Sequence, residues 1–234
     1  MTKKHRPFLE SDYEKISGDE GSVFDHLLRC LDASVNLTNN NLLRLATLCH
    51  DIAKPHTRSV DSDGRVHFYK HEVVGATVVY QWMRDLRFPK KDIEYVTKLV
   101  RHHQWRFEDN SKDKTIRKWL QAVGKDVWRD LITLRCADRK GNLKKAHLPM
   151  ITKKMQELVD RAESILEAGN PIFKDDLAIN GHHLKELGIT PGKIYQDIFT
   201  ACLALVINEP NRNTREDLEA FVRKNYVESI NAAN

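Results

Sequence analysis

His50 and Asp51 stand side by side near the end of residues 44–54, RLATLCHDIAK. Leu43, Ala46, Leu48, Ile52 and Ala53 recur at mostly helical spacing, which predicts a largely buried helix ended by Pro55. Burying an imidazole beside a carboxylate is costly unless both are satisfied. A divalent metal satisfies both, because it takes neutral imidazole nitrogen and carboxylate oxygen together. Four more positions draw attention: His26, His71, His102 and Asp138, each at or near the start, end or inner face of a predicted helix. Helical bundles place metal ligands in this way, on facing helices. His26, His50, Asp51 and Asp138 complete one site with open positions. His71 and His102 add enough ligands for a second ion if Asp51 bridges the two. Two ions ~3.5–4 Å apart can bind both the attacking and the leaving oxygen of a phosphoryl displacement.

Each residue also has a blander reading. His26 reads otherwise as an exposed helix histidine and His71 as a helix cap. Asp138, near a helix C-terminus, opposes the dipole and needs a cationic partner. Adjacent helical residues point ~100° apart, so only one of His102 and His103 reaches a metal. Lys54, one turn beyond His50, is a candidate phosphate contact or a lysine complementing the helix dipole. Arg58, Arg101 and Arg139 are candidate phosphate or ribose contacts, with surface salt bridging as the alternative. Trp105, Trp119 and Trp128 have core spacing, and Trp105 is a lesser candidate for base stacking.

The elements that must position these groups are helices. Ser22 can cap a helix carrying His26, with Val23, Leu27, Cys30 and Leu31 as its apolar stripe. The asparagines at 39–41 turn and cap the chain before the His50–Asp51 helix. Two short β-prone runs around Asp63-Gly64 predict a hairpin. Helices follow from His71, over 90–103 (apolar stripe Ile93, Val96, Leu99, Val100), over 111–123, over 125–138 and over 149–168. Gly169-Asn170-Pro171 is the best candidate boundary. A short helix to Leu187, a helix from Thr190-Pro191-Gly192 to Asn208, and a last one capped at Thr214 complete the chain. The class is all-α: a polar arm over 1–20, a helical bundle over 21–169 and a small helical C-terminal extension over 170–234.

With 234 residues, 41% hydrophobic and 30% charged, the chain can bury one sizeable core plus an appendage. A net charge of +5 favours anionic ligands such as nucleotides or nucleic acid. Cys30, Cys49, Cys136 and Cys202 sit in apolar helical patterns without CxxC spacing and read as reduced core cysteines. No secretory leader is read in residues 1–15, and no apolar run approaches the ~20 residues of a membrane span. A cytoplasmic setting with no membrane partner is expected.

The pattern of His26, His50-Asp51 and Asp138 resembles the HD phosphohydrolase superfamily, and His71 and His102 resemble its two-metal subset. Residues 45–76 (LATLCHDIAKPHTRSVDSDGRVHFYKHEVVGA), LVRHH at 99–103 and LRCADRKGN at 134–142 are similar to the HD domain of bacterial tRNA nucleotidyltransferases, the CCA-adding enzymes. Residues 176–198 (DLAINGHHLKELGITPGKIYQDI) and NTREDL at 213–218 resemble their C-terminal segment, so the likeness spans about 22–224. The resemblance favours His102 as ligand, leaving His103 to face substrate. Those enzymes polymerise with a head domain built on a Gly-Ser motif and an Asp-x-Asp pair. Asp61-Ser62-Asp63 matches only by letters, in a glycine turn, so nucleotide addition is not expected.

The resemblance implies a metal-dependent phosphohydrolase using one or two Mn, Co, Ni, Fe or Zn ions, with Mg a further candidate. His26, His50, Asp51, His71, His102 and Asp138 would hold metal. Asp51 and Lys54 would act on an activated water and the developing phosphoryl charge. Lys54, Arg58, Arg101, His103 and Arg139 would meet a nucleotide or an RNA-end phosphate. The activity would be that of a 5′-nucleotidase-type phosphomonoesterase or a 2′,3′-cyclic phosphodiesterase. The competing expectation is a non-catalytic RNA- or tRNA-binding body of a split nucleotidyltransferase. A paired-iron oxygenase ranks third.

Overall fold

A computed structural model of the protein describes residues 22–108 and 110–228. The arm expected over 1–20 lies outside the described residues. The fold is all-α, with one two-stranded hairpin among the described residues. Helix α1 (Val23–Val35) starts where the Ser22 hydroxyl accepts from the Asp25 amide at 3.0 Å. Helix α2 (Asn41–Cys49) is capped by Asn40, whose side-chain oxygen accepts from the amides of Leu42 and Leu43.

The apolar pattern through Ala53 suggests that α2 runs on to Pro55, but it stops at Cys49. The chain tightens into turns, with Ile52 N donating to Cys49 O at 3.2 Å and Lys54 N to Asp51 O at 3.0 Å. Pro55 then lies in the first turn of a separate short helix, α3 (Lys54–Thr57), where a missing N–H costs nothing. His50 and Asp51 therefore leave the helix at its C-terminal end.

Strands β1 (Arg58–Val60) and β2 (Val66–Phe68) pair antiparallel, Arg58 opposite Phe68 and Val60 opposite Val66. The Asp61 carboxylate accepts from the amides of Asp63 and Arg65, and Gly64 takes the left-handed conformation, φ +76°, that the turn requires. Then come α4 (His71–Asp85), α5 (Lys90–His102), α6 (Asp113–Val123), α7 (Trp128–Gly141), α8 (Lys153–Glu167), α9 (Gly181–Glu186), α10 (Lys193–Asn208) and α11 (Arg215–Val222).

The chain gathers into two compact units. The first holds the described residues up to Phe107 together with Asp126–Met155. In it α2 packs against α1, α5 and α7, and α4 packs on α5. Its core includes Leu43, Ala46, Val79, Met83, Leu99, Trp128, Leu131 and Leu134. Helices α1 and α7 approach closely at Cys30 and Gly141: a Cβ at 141 would lie 2.3 Å from Cys30 Sγ and 2.8 Å from its backbone nitrogen. Arg29 Nε donates to Gly141 O across the same crossing, at 2.9 Å.

The second unit comprises Glu108–Lys125 and the described residues from Gln156 onward. Leu177, Ile179, Leu184, Ile198, Cys202, Val206, Ile207, Leu218 and Val222 form its core. The turn at Gly169-Asn170-Pro171, the boundary suggested by the sequence, lies inside this unit. Arg161 of α8 explains why: it bonds Asp113 and Ser111 O, tying α8 to the start of α6. Among the described residues no helix is long and apolar enough to cross a membrane.

Candidate metal centre

Three histidines of the first unit are held by the same local device. His50 Nδ1 lies 2.7 Å from Thr47 O, His71 Nδ1 2.7 Å from Phe68 O, and His103 Nδ1 2.7 Å from Val100 O. A carbonyl can only accept, so each Nδ1 carries the proton, and in the neutral ring Nε2 carries the lone pair. Each ring is thereby fixed by the carbonyl three residues earlier, with Nε2 directed at Asp51. Metal-ligating histidines are oriented by such bonds to their second nitrogen.

Asp51 sits among them at 2% exposure, with one oxygen toward each half of the cluster. Its Oδ2 lies 3.3 Å from His50 Nε2 and 3.6 Å from His26 Nε2. Its Oδ1 lies 3.1 Å from His71 Nε2 and 3.5 Å from His103 Nε2. Asp138, from the last turn of α7, reaches His26 Nε2 at 3.3 Å and His50 Nε2 at 3.7 Å. Two ligand groups result, each with its donor atoms within 4.8 Å of one another: His26, Cys30, His50 and Asp138, and then Asp51, His71 and His103.

The protein atoms alone do not satisfy this cluster. His50 Nε2 and Asp51 Oδ1 are buried and complete no hydrogen bond despite the short separations. His71 Nε2 and His103 Nε2 face each other at 3.2 Å, so in the neutral rings two lone pairs meet. Buried polar groups left this way are costly. A divalent cation answers each of these demands, and the imidazole and carboxylate donors suit one. The residues present fit the metal.

Without an ion the cluster holds its charge internally. Burial pushes the His50 pKa down, but Asp51 and Asp138 outweigh that and lift it to about 10. Burial would raise Asp51, yet His50 and Lys54 hold it well below the usual carboxylate range. Asp138 is likewise lowered, with burial outweighed by the nearby His26 and His50 imidazoles. His103 is lowered, chiefly by burial. Burial, then Asp138 and Asp51, push the Cys30 thiol far up.

His26, His50, Asp51, His71 and Asp138 are brought together as their spacing suggests. His102 is not. Helix α5 ends at His102, and one residue of helical rotation turns it outward, so His103 occupies the place in the cluster. His102 is half-buried beside Arg101 and Lys98, and these three line a groove of about 570 Å³ on the α4–α5 face with Thr77 and Tyr80. Its pKa is lowered by burial and then by those two cations. Lys54 Nζ reaches Asp51 Oδ2 at 2.5 Å while its side chain stays 22% exposed, at the rim of the cluster. Arg58 lies exposed at the start of β1, and Arg139 Nε donates to Pro149 O at 2.8 Å. Cys30, read from sequence as a core cysteine, is buried as expected, but its Sγ is also 3.4 Å from His26 Nε2. The available signal was its position four residues after His26, on the same helix face.

The family model for the HD domain matches residues 23–140, half of the chain, and spans every residue of the cluster. The chain belongs to the HD-domain family. Within that HD domain lie His26 on α1, the His50-Asp51 pair after α2 and Asp138 on α7. A CC-adding tRNA nucleotidyltransferase of Thermus thermophilus is 31% identical over 180 residues, 76% of this chain and 39% of that protein. An A-adding tRNA nucleotidyltransferase of Deinococcus radiodurans is 28% identical over 185 residues, 78% of this chain and 41% of that protein. The chain thus spans about two fifths of the length of these relatives. No solved structure matches it.

Proposed function

We propose that this HD domain is a metal-dependent phosphohydrolase that cleaves nucleotide phosphate esters, as a 5′-nucleotidase-type monoesterase or a 2′,3′-cyclic phosphodiesterase. In this reading His26, His50 and Asp138 would hold one ion and His71 and His103 a second, with Asp51 offering an oxygen to each side. A bound Mn, Co, Ni, Fe, Zn or Mg ion would lower the pKa of water toward neutrality and polarise a phosphoryl oxygen.

The chain's own residues supply position and charge. The three carbonyl-locked imidazoles are held with Nε2 toward Asp51, where the neutral ring offers its lone pair without reorientation. Lys54 stands at the rim with its ammonium paired to Asp51 and partly exposed, placed to offset charge developing on a phosphoryl oxygen. The observation that carries the reading is Asp51, buried, with one oxygen toward His26 and His50 and the other toward His71 and His103.

A panel of nucleoside mono- and triphosphates, 2′,3′-cyclic nucleotides and a bis-p-nitrophenyl diester, tested with Mn, Co, Ni and Mg, tests it. Metal-dependent turnover that disappears in Asp51→Ala supports the hydrolase, and the preferred ester separates monoesterase from diesterase. Silence with every metal would refute it.

A second reading is the RNA- or tRNA-binding body of a split nucleotidyltransferase. Its support is the alignment of three quarters of this chain with two tRNA nucleotidyltransferases. Strong tRNA binding that weakens steeply with salt, without hydrolysis, would favour it. A cytoplasmic setting goes with either reading.

A further inference from the structure

Cys30 is fully buried, and the second ligand group does not include it. His26 and Cys30 are four residues apart on α1 and share one helix face, so both side chains reach the same space. The sulfur lies 3.4 Å from His26 Nε2, and His50 and Asp138 bring their donor atoms within 4.8 Å of it and of each other. A separate observation points to a ligand there: His50 Nε2, 1% exposed and held by the Thr47 carbonyl, enters this space without completing a hydrogen bond. The backbone keeps the sulfur where it is, because α7 passes so close at Gly141 that not even a Cβ would fit.

We propose that Cys30 Sγ is a ligand to the ion held by His26, His50 and Asp138, which makes this half of the centre thiophilic. The inference rests on the metal reading above. On binding, a sulfur–metal bond forms and the thiol proton passes to solvent; nothing is oxidised or reduced. Two imidazoles, the Asp138 carboxylate, one Asp51 oxygen and a thiolate favour Zn, Co or Fe, whereas the other Asp51 oxygen with His71 and His103 suits harder ions such as Mn as well. The two halves of the centre then differ in metal preference.

Cobalt(II) added to the metal-stripped full chain tests this without any assay of activity. Ligand-field bands in the visible report that cobalt is bound, and a sulfur-to-cobalt charge-transfer band in the near ultraviolet reports the thiolate. The wild-type protein should show both. Cys30→Ser should keep the visible bands, lose the charge-transfer band and bind zinc about 10-fold more weakly or worse. Cys202→Ser, in the other unit, should change neither. Visible bands without charge transfer in the wild type would overturn the role of Cys30 and leave the metal centre standing, and that result needs no variant to fold. Unchanged zinc affinity in Cys30→Ser would overturn it too. Absence of all cobalt bands would overturn both this inference and the metal centre.

Discussion

The two units of the chain bury different chemistry. The second fills its core with Leu184, Ile198, Cys202, Val206, Ile207 and Leu218, and among the described residues its buried charged side chain is Arg117, whose Nε is satisfied by Ile207 O at 2.9 Å. The first buries Trp128, Leu131 and Leu99 but also His26, His50, Asp51, His71 and His103. A core built for stability alone would exclude five such groups, since each incompletely partnered polar atom costs about 1–3 kcal/mol. The same contrast recurs at the end of α5, where His102 faces an open groove and His103 faces Asp51.

The largest break in this comparison should come from Asp51→Ala. It should lower metal-dependent phosphate release more than about 10³-fold, because both halves of the centre lose a shared oxygen donor. Helical circular dichroism should stay near wild type. Lys54→Met should lower kcat roughly 100-fold while leaving metal affinity intact, as expected for a charge used on the phosphoryl group. The histidine pair sharpens the contrast further. His103→Ala should weaken metal binding by about 10–100-fold, whereas His102→Ala should leave it unchanged; calorimetric titration with Mn separates the two. An equal effect of both variants would break the assignment.

Gly141→Ala probes packing instead of chemistry. The added Cβ meets Cys30 Sγ and backbone, so a loss of about 1–3 kcal/mol in stability is expected, read from urea denaturation. An alanine at Gly188, where a Cβ would meet nothing within 4 Å, separates clash from backbone strain, since its φ of +80° is the only burden there.

The smallest effect concerns pH in chelator-treated protein. His50 has a folded pKa raised to about 10 above its ordinary 6.5. Its stabilising contribution is therefore complete below pH 6.5 and is lost as pH rises toward 10. Asp51 and Asp138 have depressed values, so their contribution is present above the ordinary carboxylate range and is lost on acidification. The melting temperature in chelator should fall between pH 6.5 and 10. A flat profile there would remove the internal His50–carboxylate pairing.

Much of this was legible in the chain. The all-α class follows from the 3.6-residue periodicity of Ile93, Val96, Leu99 and Val100, and the caps at Ser22 and Asn40 were readable from residue type. His26, His50, Asp51, His71 and Asp138 drew attention by type and spacing, and the fold assembles them. What escaped depended on rotation and distance. Whether His102 or His103 turns inward is decided by a single residue at the end of α5, where periodicity is weakest. The end of α2 was hidden because Ile52 and Ala53 continue the apolar pattern through turns. Cys30 looks the same in sequence whether it packs a core or faces a ligand. The grouping of 108–125 with the C-terminal unit depends on long-range contacts such as Arg161 with Asp113, which no local pattern encodes.

The most direct test of the metal centre is calorimetric titration of the chelator-treated full chain with Mn and with Zn, beside Asp51→Ala. A centre with two ligand groups joined by Asp51 requires saturable binding that approaches two ions per chain and collapses in the variant. Absence of binding in the wild type, or binding that Asp51→Ala leaves unchanged, would contradict it.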